Sequence, residues 1–294
     1  MKKYAIITDS SCDLESTFRK ENGVDYAKMM LTWEENGKIT ETPASLDWDV
    51  VSAKEFYDIL RRGVRIYTAQ VTAQEFLNVF EPHLKNGEDI LYIATSSGLS
   101  ATLHTAELLA KTEIKEKYPD RKVVVIDSMR AGMALGAIVM EAVRLQKEGK
   151  SLEETAEEIE KIKLQFKEVG IPDNLSYLKR AGRVKASAAF FGNLMSLKPI
   201  LVFSEEGSNV AVKKAIGRKA AFKEMANMIK EDIVDPENQD IYLLSGDCEQ
   251  INIDMFVSAV KEVVNVKNIV VQPLGPIIGA SSGPGTIIIN YRGK

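Results

Sequence analysis

The sequence predicts an α/β protein of two domains, and three observations support that prediction. Apolar runs suited to buried parallel strands alternate with helical periods through the first half. The second half joins its strands sometimes by a turn and sometimes by a helix, which indicates a mixed sheet. The length of 294 residues suits two ordinary domains. We therefore expect a three-layer α/β/α domain with a parallel sheet over 1–158, and a two-layer α/β domain with a mixed sheet over 159–294.

The composition narrows the class of protein. Hydrophobic residues make up 45% of the chain and charged residues 27%, which is typical of a globular protein. A formal net charge of -4 argues against nucleic acid as the main partner. The two cysteines, Cys12 and Cys248, have no metal-type spacing and suit a reducing compartment. Because no segment approaches the length of a membrane span, we expect a cytoplasmic protein without membrane insertion.

The clearest strand-to-helix transition lies between Ile90 and Leu103. Five residues suited to a buried strand are followed by Thr-Ser-Ser-Gly, and apolar residues then recur at helical spacing at Leu99, Leu103, Ala106 and Ala110. This pattern predicts a helix that begins at or just after Ser97, with free backbone N–H groups at the turn that favour a negative charge. The alternative is an ordinary helix N-cap, by Ser96 or Ser97, without a ligand.

The remaining elements of the first half follow the same logic. Strands are predicted at Tyr4–Thr8, Arg65–Thr68 and Lys122–Ser128, and helices after Thr72 and over Met129–Lys147. Residues 26–49 look irregular, with a hairpin-like turn at 33–37. Capping boxes are expected at Thr72 and Ser151. In the second half, the glycines and prolines of 275–285 predict a loop.

Hydroxyl side chains follow four of the predicted strands. The strand ends read Thr8-Asp9-Ser10-Ser11, Thr68-Ala69-Gln70, Thr95-Ser96-Ser97 and Asp127-Ser128. Ligands of doubly wound sheets bind beyond the carboxyl ends of the strands, so this edge could hold a small head group such as a carboxylate. Helix capping is the alternative for any single hydroxyl. Neither a dinucleotide-binding glycine motif nor a Walker-type motif is present.

Residues suited to catalysis are sparse. The only histidines are His83 and His104, and neither neighbours a candidate nucleophile in the sequence. Asp9 could act as a base or metal ligand, or could simply cap a turn. The basic segment 177–185 is either a solvated face or a docking patch for an anionic ligand or partner.

Several short motifs, in this order and spacing, resemble the DegV family of bacterial lipid-binding proteins. They are Ile7-Thr8-Asp9-Ser10, Thr68-Ala69-Gln70, Ser96-Ser97-Gly98-Leu99-Ser100-Ala101-Thr102, Val125-Ile126-Asp127-Ser128, Tyr177-Leu178-Lys179-Arg180-Ala181-Gly182-Arg183, Lys198-Pro199-Ile200 and Gly283-Pro284-Gly285. The resemblance implies two α/β domains with one long-chain fatty acid buried between them, and a carboxylate held by hydroxyls at the strand ends.

The resemblance and the apolar segments together give three sets of candidate residues. The carboxylate-binding set is Thr68, Ser96, Ser97 and Ser281. The head-group rim is Asp9, Ser10, Gly98, Ser128 and Ser282. The candidates for the wall around the acyl chain are Met133, Phe190, Phe191 and Met195.

Two positions depart from the pattern of the family. The family usually has Thr-Ser-Gln-Pro-Ser where this chain has Thr68-Ala69-Gln70-Val71-Thr72, and a histidine where this chain has Ser281. A serine cannot supply a positive charge, which weighs more against service to a kinase than against lipid binding.

We therefore interpret the chain as a non-catalytic fatty-acid-binding protein without a metal or further cofactor. The resemblance implies that it presents the carboxylate to a separate ATP-dependent fatty acid kinase, and Lys179, Arg180 and Arg183 form a candidate docking surface. Two alternatives remain open. One is a small-molecule phosphotransferase or hydrolase that uses Asp9 and the strand-end hydroxyls. The other is an interaction protein in which the lipid is structural.

Overall fold

A computed structural model of the protein describes residues 3–185 and 197–294. The chain divides into two compact units. Unit 1 comprises Met1–Val50 and Ile66–Leu164, and unit 2 comprises Val51–Arg65 and Gln165–Lys294. The chain crosses between the units for the third and last time after Leu164, six residues beyond the expected boundary. Residues 51–65 also belong to unit 2, which the expected boundary did not foresee.

Fourteen strands are formed by the described residues. In chain order they are β1 (Tyr4–Asp9), β2 (Asp25–Ala27), β3 (Met30–Glu35), β4 (Lys38–Pro43), β5 (Tyr67–Ala69), β6 (Asp89–Ala94), β7 (Val123–Asp127), β8 (Phe166–Ile171), β9 (Val184–Lys185), β10 (Leu197–Phe203), β11 (Asn209–Ile216), β12 (Asp240–Ser245), β13 (Asn268–Pro273) and β14 (Ile287–Arg292).

The helices are α1 (Ser16–Asn22), α2 (Ala53–Arg61), α3 (Ala73–Lys85), α4 (Thr102–Lys111), α5 (Glu113–Lys117), α6 (Gly132–Lys147), α7 (Leu152–Ile162), α8 (Leu175–Ala181), α9 (Gly217–Asp232), α10 (Gln250–Lys261) and α11 (Pro276–Ser282). Among the described residues, none of these helices combines the length and the apolar character that a bilayer crossing requires.

Unit 1 is built on the predicted parallel sheet. Its strand order is β2-β1-β6-β7, and all three pairings are parallel. Every residue of β1 and β6 is buried, because helices cover both faces of such a sheet. The helices α3 and α4 pack together, as do α6 and α7, and members of both pairs contact the sheet. The prediction of an α/β/α layer arrangement is confirmed.

A second, smaller sheet in unit 1 corrects two expectations. Residues 26–49 are not irregular: β3 and β4 form an antiparallel hairpin whose turn is Asn36-Gly37. The strand predicted at Arg65–Thr68 is not a core strand of the parallel sheet. It is β5, which pairs with β3 so that Thr68 lies opposite Leu31. A three-residue strand carries no pattern that distinguishes these two partners, because pairing is set by residues distant in the sequence.

Of the two predicted capping boxes, one is complete. The Ser151 hydroxyl accepts a hydrogen bond from the Glu154 N–H, and the Glu154 carboxylate accepts one from the Ser151 N–H. The Thr72 hydroxyl likewise accepts the Glu75 N–H at 3.1 Å. However, the Glu75 carboxylate accepts the N–H of Lys28 at 3.1 Å. A tertiary contact has therefore replaced the second half of that box.

Unit 2 contains the predicted mixed sheet. Its order is β13-β12-β14-β8-β10-β11-β9, with parallel pairings at the two ends and antiparallel pairings between them. The helices α9 and α10 pack on this sheet around a core in which the rings of Phe222 and Phe256 lie 5.1 Å apart. Burial of such aromatic side chains is a main source of stability for this unit.

The segment 51–65 is held in unit 2 by long-range hydrogen bonds. The Tyr57 hydroxyl donates to the Leu274 carbonyl at 2.7 Å, and the Tyr177 hydroxyl donates to the Leu60 carbonyl at 2.8 Å. Arg61 forms an ion pair with Asp247. These partners are more than 100 positions away in the sequence. The sequence pattern does not show such contacts, so it predicted that the segment would belong to the same domain as the residues on either side of it.

The glycine-proline segment contains a helix, α11, where the sequence predicted a loop. Pro276 occupies the start of α11, a position where its missing N–H costs nothing. Gly279 lies inside the helix because a Cβ there would meet the Tyr57 hydroxyl at 2.5 Å. The glycine thus reflects close packing against α2, not a turn.

His83 lies between two carboxylates of unit 1, and its contacts with them should make the stability of unit 1 depend on pH. Its Nε2 lies 2.9 Å from the Asp25 carboxylate and its Nδ1 lies 2.8 Å from the Glu88 carboxylate. The hydrogen bond with Asp25, assisted by Glu88 and opposed by burial, raises the pKa of His83 above its usual value. Because the pKa of His83 is higher in the folded protein, the protonated imidazole stabilises the fold. This contribution is complete below the unfolded-state pKa of about 6.5 and is lost as the pH rises through the folded-state pKa.

We therefore expect His83→Gln to destabilise unit 1 at low pH and to have little effect at high pH. Denaturant unfolding of both proteins, followed by tryptophan fluorescence from about pH 5.5 to about pH 9, measures this difference. The control is His104→Gln, since the His104 side chain is 67% exposed and lies 3.8 Å from Glu107. A difference between wild type and His83→Gln that is constant with pH would contradict the prediction.

Candidate functional site

The turn that follows β6 is anchored to the end of β1 by Asp9. The Asp9 carboxyl group is fully buried and accepts four hydrogen bonds: from the Ser11 N–H at 3.0 Å, the Ser11 hydroxyl at 2.6 Å, the Tyr92 hydroxyl at 3.2 Å and the Thr95 N–H at 2.8 Å. Burial raises the pKa of Asp9, although the hydrogen bonds from Ser11 and Thr95 act in the opposite direction. Asp9 therefore joins the ends of two adjacent strands.

The helix after this turn begins later than the sequence predicts. The first residue of α4 is Thr102 and not a residue next to Ser97. The turn between them bonds to itself: Ser96 accepts the Gly98 N–H through its hydroxyl at 3.1 Å, and the N–H groups of Leu99 and Ser100 through its carbonyl at 3.0 and 3.1 Å. Ser96 is thus the acceptor of a compact turn, which the spacing of the apolar residues does not show.

Two residues at and beyond the end of β7 hold the other side of the turn, and the sequence pattern did not assign them to the site. The Asp127 carboxylate accepts the Ser97 N–H at 3.3 Å and the Met129 N–H at 3.0 Å. The Arg130 carbonyl accepts the Ser96 N–H at 2.8 Å. Met129 has a positive φ of 55°, a conformation that reverses the chain between these two acceptors. The sequence did offer one signal for Asp127, because it lies at the predicted end of a strand that follows the β6 strand in the chain.

Most of the strand-end hydroxyls are buried and occupied by bonds within unit 1. Thr8 donates to the Ile93 carbonyl at 2.9 Å, Ser10 accepts the Met29 N–H at 2.9 Å, and Ser128 donates to the Arg130 carbonyl at 2.9 Å. The contacts of Thr8 and Ser10 hold neighbouring segments together and that of Ser128 closes a local turn, so all three hydroxyls serve the fold of the strand-end edge.

Thr68 and Ser97 differ from these hydroxyls. Both are half-buried, and within residues 3–185 and 197–294 neither hydroxyl forms a hydrogen bond. Their segments are joined to each other: the Val71 N–H donates to the Thr102 hydroxyl at 3.3 Å, and the Gln70 amide donates to the Thr105 hydroxyl at 2.9 Å. Unit 1 thus presents two hydroxyls that are available to a ligand.

A known family matches this chain over nearly its whole length. The sequence profile described as "Uncharacterised protein, DegV family" matches residues 3–293. The chain belongs to the DegV family. A DegV domain-containing protein of Clostridium perfringens is 33% identical over 293 residues, which cover 100% of this chain and 98% of the relative. A similar relative of Streptococcus pyogenes is 31% identical over 99% of this chain and 98% of its own length.

Solved DegV structures share the fold. A DegV family protein of Thermus thermophilus, described by its fatty acid binding, is 28% identical with a TM-score of 0.83, and 99% of each chain is covered. DegV of Bacillus subtilis, described as a fatty acid binding protein, is 22% identical with a TM-score of 0.83 over 100% of both chains. The two-domain α/β architecture expected from the sequence is therefore that of the DegV family.

The other candidate residues of this DegV-family chain fall in three places. Met133 is buried in α6 of unit 1. Ser281 and Ser282 lie at the end of α11 in unit 2, where their hydroxyls donate to the carbonyls of Ile277 and Ile278 at 3.4 and 2.8 Å. Phe190, Phe191 and Met195 lie outside the described residues.

The candidate docking residues of the DegV-family chain lie in unit 2. Lys179, Arg180 and Arg183 are exposed around the end of α8, where Gly182 adopts a positive φ of 70°. The Arg180 guanidinium stacks 4.7 Å from the centre of the Tyr177 ring. Arg183 has a hydrogen bond to the Ala181 carbonyl. The three residues are basic and exposed, and all lie within residues 179–183.

Unit 2 of the DegV-family chain also has a polar cavity of about 440 Å³, whose lining includes Arg61, Asp173, Arg218 and Gly285. Its charges are largely paired: Arg218 lies 2.8 Å from Asp173 and donates to the Gly285 carbonyl at 2.7 Å. Burial acts to raise the pKa of Asp173, but hydrogen bonds from Lys198 and Arg218 hold it below its usual value. Within the described part of the chain, no three His, Cys, Asp or Glu side chains are arranged to hold a metal ion.

Proposed function

We propose that this protein binds one long-chain fatty acid and holds its carboxyl group at Thr68 and Ser97. The observation that carries the proposal is that Thr68 and Ser97 are half-buried and that, among the described residues, their hydroxyls form no hydrogen bond, whereas those of Thr8, Ser10 and Ser128 do. The relative of Thermus thermophilus supports the choice of ligand, since it is 28% identical and its description names fatty acid binding.

The energetics of such a complex are favourable. Each buried methylene contributes roughly 0.8 kcal/mol, so about fourteen of them contribute roughly 11 kcal/mol before the costs of association. A carboxyl group that loses its water without gaining hydrogen bonds would remove several kcal/mol of that gain. Two hydroxyls that are free to donate and accept at one end of an apolar chain meet this requirement.

We further propose that the protein is non-catalytic. The candidate base of the rival enzyme hypothesis is Asp9, and its carboxyl group is fully buried and already accepts four hydrogen bonds. A general base needs access to the proton that it removes. The four internal donors leave Asp9 the role of holding the turn.

The finer part of the proposal concerns a partner. We infer that the bound acid is presented to a separate ATP-dependent fatty acid kinase in the cytoplasm, where Cys12 and Cys248 remain free thiols. The exposed basic surface of Lys179, Arg180 and Arg183 is the proposed docking site. Replacing Arg180 and Arg183 with glutamate should abolish binding to such a kinase while leaving the bound acid in place.

The first experiment is native mass spectrometry of the purified protein, followed by extraction and identification of the bound molecule. We expect a stoichiometric long-chain fatty acid. If the purified protein is empty, added palmitate and oleate are the next probes. A protein that is empty and also fails to bind either acid would contradict the proposed function and would favour the enzyme hypothesis.

A further inference from the structure

Residues 95–100, the part of the turn that carries Ser97, have no backbone donor left for a ligand. The N–H of residue 95 donates a hydrogen bond to Asp9, that of residue 96 donates to the Arg130 carbonyl, and that of residue 97 donates to Asp127. The N–H groups of residues 98, 99 and 100 all donate hydrogen bonds to Ser96. The backbone N–H groups nearest Ser97, which a strand-to-helix turn can use to bind an oxyanion, are therefore occupied by the protein itself. A carboxyl group held at Ser97 therefore meets side-chain hydroxyls and not these N–H groups.

The acceptors that occupy the turn include two carboxyl groups. Asp127 accepts the N–H of Ser97, the same residue whose hydroxyl is available to the ligand. Asp9 accepts the N–H of Thr95, at the beginning of the turn. A neighbouring carboxylate disfavours a second negative charge, and so does the loss of water around the ligand head group.

The cations around the turn have other partners. The Lys163 ammonium donates to the Asp127 carbonyl at 2.7 Å and pairs with Glu160 at 2.6 Å. The Arg130 guanidinium, in a residue only 3% exposed, donates to the carbonyls of Met129 and Leu164 at 2.7 and 3.0 Å.

The helices that pack near the turn add little positive charge. On α4, His104 is exposed and lies near Glu107. On α3, the first turn carries Glu75, a further acid, whose carboxylate accepts the Lys28 N–H. The Lys28 ammonium itself lies 5.8 Å from the centre of the Tyr26 ring. Each of these groups thus has a neighbour within unit 1.

We propose that the site recognises the neutral carboxylic acid form of its fatty acid. This inference rests on the proposed function, because it concerns the ligand bound at Thr68 and Ser97. A protonated carboxyl group has one donor and one acceptor, which matches two hydroxyls that can each donate or accept. A carboxylate offers acceptors only and would lie beside Asp127 without a backbone donor from residues 95–100.

The test is carbon-13 NMR of the holoprotein loaded with palmitate that is labelled at its carboxyl carbon, recorded as a function of pH. An ordinary carboxyl group titrates at about pH 4.3. For the bound acid we expect a midpoint above about pH 6. A bound signal whose midpoint is that of an ordinary carboxyl group, or that stays ionised throughout, would overturn the inference and leave the proposed function intact. The absence of any bound signal would instead contradict the proposed function, and the inference with it.

Two variants and a matched control identify the cause of the raised midpoint. Asp127→Asn removes the charge while its amide oxygen can still accept a hydrogen bond from Ser97, and we expect the midpoint to fall. If that variant does not fold, Gly98→Lys places a cation at an exposed position of the same turn and should also lower the midpoint. The control is Asp120→Asn, an exposed position outside the turn that loses the same charge. A midpoint that moves equally in Asp127→Asn and Asp120→Asn would contradict the role of Asp127.

Discussion

Replacing Asp9 with alanine is expected to destabilise unit 1 by about 4 kcal/mol. The substitution leaves the buried N–H groups of Ser11 and Thr95 without acceptors, and each buried unsatisfied group costs about 1–3 kcal/mol. The hydroxyls of Ser11 and Tyr92 can rotate toward other partners, so their loss adds less. Asp9→Asn should cost about 2 kcal/mol, because its amide oxygen can replace one carboxyl oxygen while its NH₂ group faces donors.

The stability of unit 1 can be measured separately from that of the whole chain. Both tryptophans of the chain, Trp33 and Trp48, belong to unit 1. Tryptophan fluorescence during denaturant unfolding therefore reports unit 1, while far-UV circular dichroism reports the whole chain. Asp120→Ala, at an exposed position, is the matched control and should change the stability by less than about 0.5 kcal/mol. If Asp9→Ala were as stable as this control, the four hydrogen bonds would not be holding the turn.

The second large effect is expected on ligand binding. The double substitution of Thr68 and Ser97 by alanine removes both proposed partners of the carboxyl group. Each hydrogen bond is worth about 1–1.5 kcal/mol, so the affinity for palmitate should fall about a hundredfold. Because neither hydroxyl bonds to a described residue, the free energy of unfolding without ligand should stay within about 0.5 kcal/mol of wild type.

Ser96→Ala is the control that separates the two adjacent serines. Its hydroxyl accepts the Gly98 N–H, so this variant should lose about 1 kcal/mol of stability. Competition with a fluorescent fatty acid measures the affinities, and fluorescence-detected unfolding measures the stabilities. Wild-type affinity in the double variant would remove Thr68 and Ser97 from the site. Loss of affinity in Ser96→Ala at full stability would transfer the role of Ser97 to Ser96.

The sequence by itself was enough to predict the fold class and the family. Buried parallel strands leave continuous apolar runs, and β1 and β6 could be placed from these runs because burial of both faces is a local requirement on the residues. The capping box at Ser151 was equally local, since both of its hydrogen bonds join residues three apart. The order and spacing of the short motifs then indicated the DegV family, which the match over residues 3–293 confirms.

Tertiary structure alone decided the features that depend on distant residues. It paired β5 with β3, and it placed residues 51–65 in unit 2 through partners such as Leu274. It also decided which strand-end hydroxyls are occupied and which are available. Thr8, Ser10 and Ser97 look alike in the sequence, but the hydroxyls of Thr8 and Ser10 are occupied because another segment brings an acceptor or donor within about 3 Å of them. That geometry is a property of the assembled sheet edge, where Asp9, Asp127 and Arg130 occupy the backbone of the turn and leave the hydroxyl of Ser97 available.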